Sequence, residues 1–162
     1  MKSPILFVFV LIITLFFFNS AKAQFGWQWG FATVNSVDIE ANPVAVDKVG
    51  NVFVAGYNEN GDSVVFGSIT IYNPTHNRQL IIAKADSFGF IWAKGSQNGF
   101  SMPVNVATDD SGNVYLLGEY YGDSINFDTF TFINPNYSTS FMADYLVKYH
   151  LQAPYFGQKI YL

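Results

Sequence analysis

Hydrophobic positions along this chain come in short runs of two kinds. In "NVFVAGY" (51–57), Val52, Phe53, Val54 and Ala55 are all apolar. Strict alternation is absent, which predicts a strand covered on both faces. "NVYLLGE" (113–119) predicts a second such strand over Val114 to Leu117. In "GSITIYN" (67–73) and "DTFTFIN" (128–134) apolar and polar residues alternate instead. Ile69 and Ile71, or Phe130 and Phe132, then fall on one face, as in half-exposed strands or hairpin arms. No window beyond residue 23 carries a helical period. β-branched and aromatic residues fill the runs, so the expected fold class is all-β.

The runs repeat. Val44, Ala45, Asp47, Gly50, Asn51, Val52 and Gly56 recur as Val106, Ala107, Asp109, Gly112, Asn113, Val114 and Gly118, an offset of 62. Gly61-Asp62-Ser63 recurs as Gly122-Asp123-Ser124, and "VVFGSITIYNP" (64–74) is answered by "INFDTFTFINP" (125–135), both one residue closer. "LIIAKAD" (80–86) is answered by "YLVKYH" (145–150). "FIWAKG" (90–95) has an earlier partner in "GWQWGF" (26–31) and a worn later one in "PYFGQKI" (154–160), where Pro154 falls at a strand start. The expected organisation is an N-terminal extra strand and linker over 24–41, repeat 1 over 42–103, and repeat 2 over 104–162 with a degenerate C-terminal end.

Both copies contain D-x-x-G-N. The Asp accepts hydrogen bonds from backbone N–H groups two residues on, and the Gly takes a positive φ that a Cβ penalises. Asp47, Gly50 and Asn51, with Asp109, Gly112 and Asn113, are therefore structural turn residues that fold a strand ending at Val46 into one starting at Asn51. The competing chemistry is calcium, for which Asp47, Asp109 and Asp110 are hard oxygen ligands. A calcium loop needs oxygens at alternate positions and a closing Glu; Lys48-Val49 and Ser111 break that spacing. No metal and no cofactor are expected.

"AVDKVGNVFVAGY" (45–57) followed by "LIIAKADSFGFIWAKG" (80–95) resembles the bacterial β-propeller repeat of the seven-bladed (SBBP) type. That repeat reads approximately as A-x-D-x-x-G-N-x-Y-V-x-G, then F-V-A-K-x-D-x-x-G, then an aromatic strand. The resemblance covers residues 24 to about 150. It implies propeller-type blades of four antiparallel core strands, with "SITI" and "TFTF" as an additional hairpin in each. The family is a scaffold family without a shared catalytic constellation, so the resemblance assigns no active-site residue. Propellers close with about four to eight blades. This chain supplies about two, which implies an incomplete ring or a truncated reading frame.

The N-terminus points to location. Lys2 precedes an apolar run from Ile5 to Phe18 broken only by Thr14, and Ala21-Lys22-Ala23 is a small-x-small site before Gln24. That order marks a secretory signal peptide over 1–23, cut between Ala23 and Gln24. The alternative is a membrane anchor, but a spanning helix wants roughly 20 apolar residues and this run has 14. The protein is expected to be secreted or at the cell surface, with no stable membrane span after cleavage. Removing 23 of the 162 residues leaves 139 and takes Lys2 and Lys22 away, so six Lys+Arg face twelve Asp+Glu, a net charge of −6. An acidic chain without a basic cluster is a poor match for nucleic acid or anionic membrane, and no nucleic-acid partner is expected. Cysteine is absent, so burial and hydrogen bonding alone hold the fold.

Candidate chemistry is sparse. A Ser-His-Asp set would have to use His76, in the loop "NPTHNRQ" (73–79), or His150, at the turn position of Asp86; both read as polar loop residues. No His or Cys pair stands at zinc spacing, and no phosphate-binding glycine motif is present. Asp62 and Asp123 repeat, as do Asp47 and Asp109, which fits turn roles. The non-repeated acids Asp38, Glu40, Glu59, Asp110, Glu119, Asp128 and Asp144 stand singly, with nothing in the sequence to pair them for glycan hydrolysis. No catalytic residue is assigned.

Aromatics are dense, 25 of the 139 residues. Tyr120-Tyr121 stand where repeat 1 has Asn58-Glu59, in an expected loop after a strand. They are the candidate contacts for a sugar ring or a partner protein, with packing between sheets as the alternative. Asn136-Tyr137-Ser138 is a glycosylation sequon for a eukaryotic host only. The expected function is an exported propeller-repeat scaffold or interaction protein, not an enzyme, with a protein or glycan partner. The alternative is a fragment of a glycan-binding or glycan-active propeller enzyme whose active site lies in further blades. Open blades are expected to self-associate, because Val52, Val54, Val114 and Leu116 need neighbours. "GWQWGF" is expected to complete the last sheet or to join a second chain.

Overall fold

The computed structural model describes residues 26–34, 39–136, 138, 142–150 and, as backbone, 156–160. The expected signal peptide and its Ala23–Gln24 junction lie outside the described residues. Contacts separate residues 1–30 from residues 31–162. Within the first unit, residues 26–30 carry no strand, and Trp27 is exposed. The strand expected over "GWQWGF" is therefore not formed: Gly26 and Gly30 weaken it, and β1 (Thr33–Val34) begins two residues beyond it.

Residues 31–162 build two four-stranded antiparallel sheets, one per repeat. Sheet 1 consists of β2 (Ile39–Val46), β3 (Val52–Asn58), β6 (Gln79–Asp86) and β7 (Gly89–Gly95), in the order β2-β3-β6-β7. Its excursion is the hairpin β4 (Ser63–Phe66)–β5 (Ile69–Tyr72), to which β1 pairs through Thr33↔Phe66 and Val34↔Val65. Sheet 2 repeats the plan with β8 (Phe100–Thr108), β9 (Val114–Tyr121), β12 (Ala143–Tyr149) and β13 (Phe156–Ile160). Its hairpin is β10 (Ser124–Phe127)–β11 (Phe130–Ile133). The fold is all-β, as the sequence predicts. The fourth strand of sheet 2 comes from "PYFGQKI", paired from Leu146↔Ile160 to Tyr149↔Phe156, and not from "GWQWGF". A free ladder edge on β12 outweighs the weak strand sequence.

Each sheet has a front, which carries its own hairpin, and a back. On sheet 1 the front residues Val54, Ile81, Ala83, Phe90 and Ala93 pack with Val64, Phe66, Ile69 and Ile71 of the hairpin. The back residues Phe53, Ala55, Leu80, Ile82 and Trp92 pack on the front of sheet 2, against Val106, Val114, Leu116, Val147 and Tyr149. The central strand of repeat 1 is thus covered on both faces, which explains its unbroken apolar run. Between the sheets Trp92 stacks on Tyr149 with ring centroids 5.5 Å apart. Lys94 Nζ meets the Asp128 carboxylate at 3.0 Å. Thr108 Oγ1 donates to the Val46 carbonyl at 3.1 Å, a contact between equivalent positions of the two repeats.

The hairpin arms alternate as expected. Ile69 and Ile71 are half-buried and Phe132 is buried, while Thr70, Tyr72, Thr131 and Ile133 face out.

Candidate functional site

The D-x-x-G-N turns close as their sequence dictates. Asp47 Oδ1 accepts from Val49 N at 3.1 Å and Asn51 N at 2.9 Å, and its Oδ2 from Asn51 Nδ2 at 2.6 Å. Asp109 repeats the set with Ser111 N at 3.0 Å, Asn113 N at 2.9 Å and Asn113 Nδ2 at 2.7 Å. Gly50 and Gly112 have φ of 90° and 76°, where a Cβ is penalised. Both oxygens of each carboxylate accept from the turn itself, so the geometry is that of a built-in clamp.

The two clamps differ in one partner. Tyr115 donates its hydroxyl to Asp109 Oδ2 at 3.0 Å, where repeat 1 has Phe53. The Asn113 side chain and this ring of donors bring the Asp109 carboxyl down from 3.8 to about 2, against a smaller upward push from burial. At Asp47 burial pushes upward most strongly, yet the hydrogen bonds from Asn51 and Val49 together outweigh it and leave the pKa lowered. Lys148, 3.9 Å from Asp109, is held protonated by the Tyr115 hydroxyl and the carboxylate.

The tyrosine pair is placed differently from the sequence expectation. Both residues belong to β9, because the ladder with β8 continues through Ser101↔Tyr120 and Phe100↔Tyr121. Alternation then sends them to opposite faces. Tyr120 is 2% exposed and packs on Tyr145, so it is a core residue and is withdrawn as a ligand contact. Tyr121 is 38% exposed and lines a polar cavity of about 440 Å³ with Asn77, Phe100 and Asp123.

His76 pairs with Asp62 at 3.2 Å in its loop, and His150 is exposed beyond β12. Asp62 and Asp123 accept from Asn73 N and Asn134 N through their carbonyls, a matched pair of loop closures. Among the described residues no three His, Cys, Asp or Glu side chains gather as metal ligands.

Two of the acids that stand singly in the sequence are brought together. Glu119 and Asp144 are direct cross-strand partners on the back of sheet 2, at the places Tyr57 and Leu80 hold on sheet 1. The register of β9 with β12 is what brings them together, and no sequence signal marks it. Arg78 is a second residue the sequence leaves unmarked. Its guanidinium lies between the rings of Tyr57 and Phe100, 4.3 and 4.2 Å from their centroids. It also grips Glu59 at 2.5 and 3.2 Å, and its carbonyl accepts from Ser101 N. This clamp ties the loop of repeat 1 to the first strand of repeat 2.

Two sheet faces are only partly covered by the described residues. The back of sheet 2 presents Ala107, Tyr115, Leu117, Leu146 and Lys148 beside the acid pair. The front of sheet 1 presents Val44 and Val46, each 57% exposed, and a cavity of about 400 Å³ lined by Phe31, Ala41, Val54, Gly56, Phe66, Ile81 and Phe90. Sheet 1 sets Ile81 across from Gly56, where sheet 2 sets the larger Tyr145 across from Gly118.

No family model matches the chain, and no curated protein or solved structure does either.

Proposed function

We propose that this chain is an exported scaffold of propeller-type blades, a non-catalytic interaction module acting outside the cytoplasm. The observation that carries this is directional stacking: the front of sheet 2 lies on the back of sheet 1, and equivalent positions 46 and 108 touch across the seam. Units that stack in one direction behave as repeat scaffolds, with exposed faces and loops as binding surfaces. Support for location comes from the charge, apolar run and A-x-A order of residues 1–23.

A glycan partner is the second reading, favoured by Tyr121. An exposed aromatic ring beside Asn77 and Asp123 offers a sugar both a stacking face and hydrogen-bonding groups. The test is recovery of exported protein with Gln24 as its first residue, followed by a glycan array with wild type and Tyr121→Ala. Intact Met1 in a membrane pellet would overturn the export. Glycan binding unchanged by Tyr121→Ala would remove the second reading, and turnover of any bound glycan would remove the non-catalytic one.

A further inference from the structure

We infer that the front of sheet 1 is the seat for the back of sheet 2 of a second copy of this chain, so that copies stack head to tail. The interface already exists once inside the molecule. There the front of sheet 2 is closed by a sheet back, Phe53, Ala55, Leu80 and Ile82. The front of sheet 1 has the same plan, and there Val44 and Val46 are each 57% exposed. Among the described residues the back of sheet 2 is partly exposed, and it offers near-equivalents at the required places. Tyr115 stands for Phe53, Leu117 for Ala55, Leu146 for Ile82 and Lys148 for Lys84, as the two ladders align them.

The seam also tolerates that lysine. Lys84 is buried between the sheets with its ammonium 5.2 Å from the Phe53 ring centroid. Lys148 holds the matching pose, 5.1 Å from Tyr115. One part of the match fails: Glu119 and Asp144 replace Tyr57 and Leu80. Burying two opposed carboxylates is costly, so the contact is weak and reversible. Because front and back are different surfaces, the interface is heterologous and propagates into a ring or a filament. It rests on the scaffold reading; a monomer would remove the stacking and leave export and glycan binding to stand or fall on their own tests.

Complementation tests this with three variants, each first shown to keep the wild-type circular dichroism. One carries Val44→Asp with Val46→Asp, blocking the front; another carries Leu117→Asp with Leu146→Asp, blocking the back. Sedimentation velocity on protein recovered from the expressing cell should give concentration-dependent species for wild type and monomers for each blocked variant. An equimolar mixture of the two blocked variants should form a dimer, because one intact front then meets one intact back. Asp144→Leu, which restores the repeat 1 residue, should tighten wild-type association about tenfold. A wild type that stays monomeric up to about 1 mM, or blocked variants that fail to pair on mixing, would overturn the seat. Association insensitive to Val44→Asp would do so too, and would point to another surface.

Discussion

Val44 and Val106 hold the same place in the two repeats, yet Val44 is 57% exposed and Val106 is 5% exposed. The residues, the strand and the register to the neighbouring strand are alike, Val44 facing Val54 and Val106 facing Leu116. What differs is the neighbour. Sheet 1 packs over Val106 in the larger core cluster, whereas Val44 stays largely exposed. Burial at such a position belongs to the stack and not to the strand.

The largest expected effect follows from cutting into the covered copy. Leu116→Ala, at a position with no exposure, should cost about 2–5 kcal/mol through lost transfer energy and a residual cavity. The equivalent Val54→Ala borders an existing cavity and is only partly buried, so it should cost about 1 kcal/mol or less. Urea unfolding of both variants, at a concentration where copies do not associate, reads the difference. Equal losses would mean that the two fronts are equally covered and that the contrast is not energetic.

That contrast also marks how far the sequence could be read. The repeat at an offset of 62, the Asp-centred turns and the alternating hairpin arms are local features, and local features were legible. Asp47 bonds residues two and four positions ahead, and Ile69 and Ile71 need only their own strand to declare a face. Stacking was legible in part: the unbroken run Val52 to Ala55 asks for cover on both sides without naming it. Pairings between strands were not legible. Glu119 meets Asp144 only through the register of β9 with β12. Tyr120 is a core residue only because β8 extends the ladder past Leu117. That Ile81 stands in for Tyr145 is visible only once both residues are placed across from a glycine.

The turns, unlike the faces, are expected to respond alike, and a glycine substitution asks whether they do. Gly112→Val and Gly50→Val each force a β-branched residue to a positive φ, which costs about 1–3 kcal/mol. Asp109→Asn keeps an acceptor for the Ser111 and Asn113 N–H groups and should cost less. Thermal melts rank the three. A Gly112→Val melt no lower than that of Asp109→Asn would remove the positive-φ account of the turn.

The smallest effect isolates the one hydroxyl by which the second clamp exceeds the first. Asp109 titrates near 2, below its ordinary 3.8, chiefly because Asn113 and then Tyr115 and Ser111 donate to its charged form. A carboxyl lowered by folding stabilises the fold above its unfolded pKa and loses that contribution as pH falls from about 4 through 2. Tyr115→Phe copies Phe53 of repeat 1 and removes one donor, so the Asp109 midpoint should rise from about 2 while staying below 3.8, since Asn113 and Ser111 remain. The acid loss of stability should move to higher pH with it. The Lys148 ammonium, which the same hydroxyl helps hold protonated, should titrate lower. Carboxylate carbon shifts followed by NMR across this pH range measure the first change directly. An unmoved Asp109 midpoint would mean that the Tyr115 hydroxyl is bound elsewhere and that the two clamps are electrostatically the same.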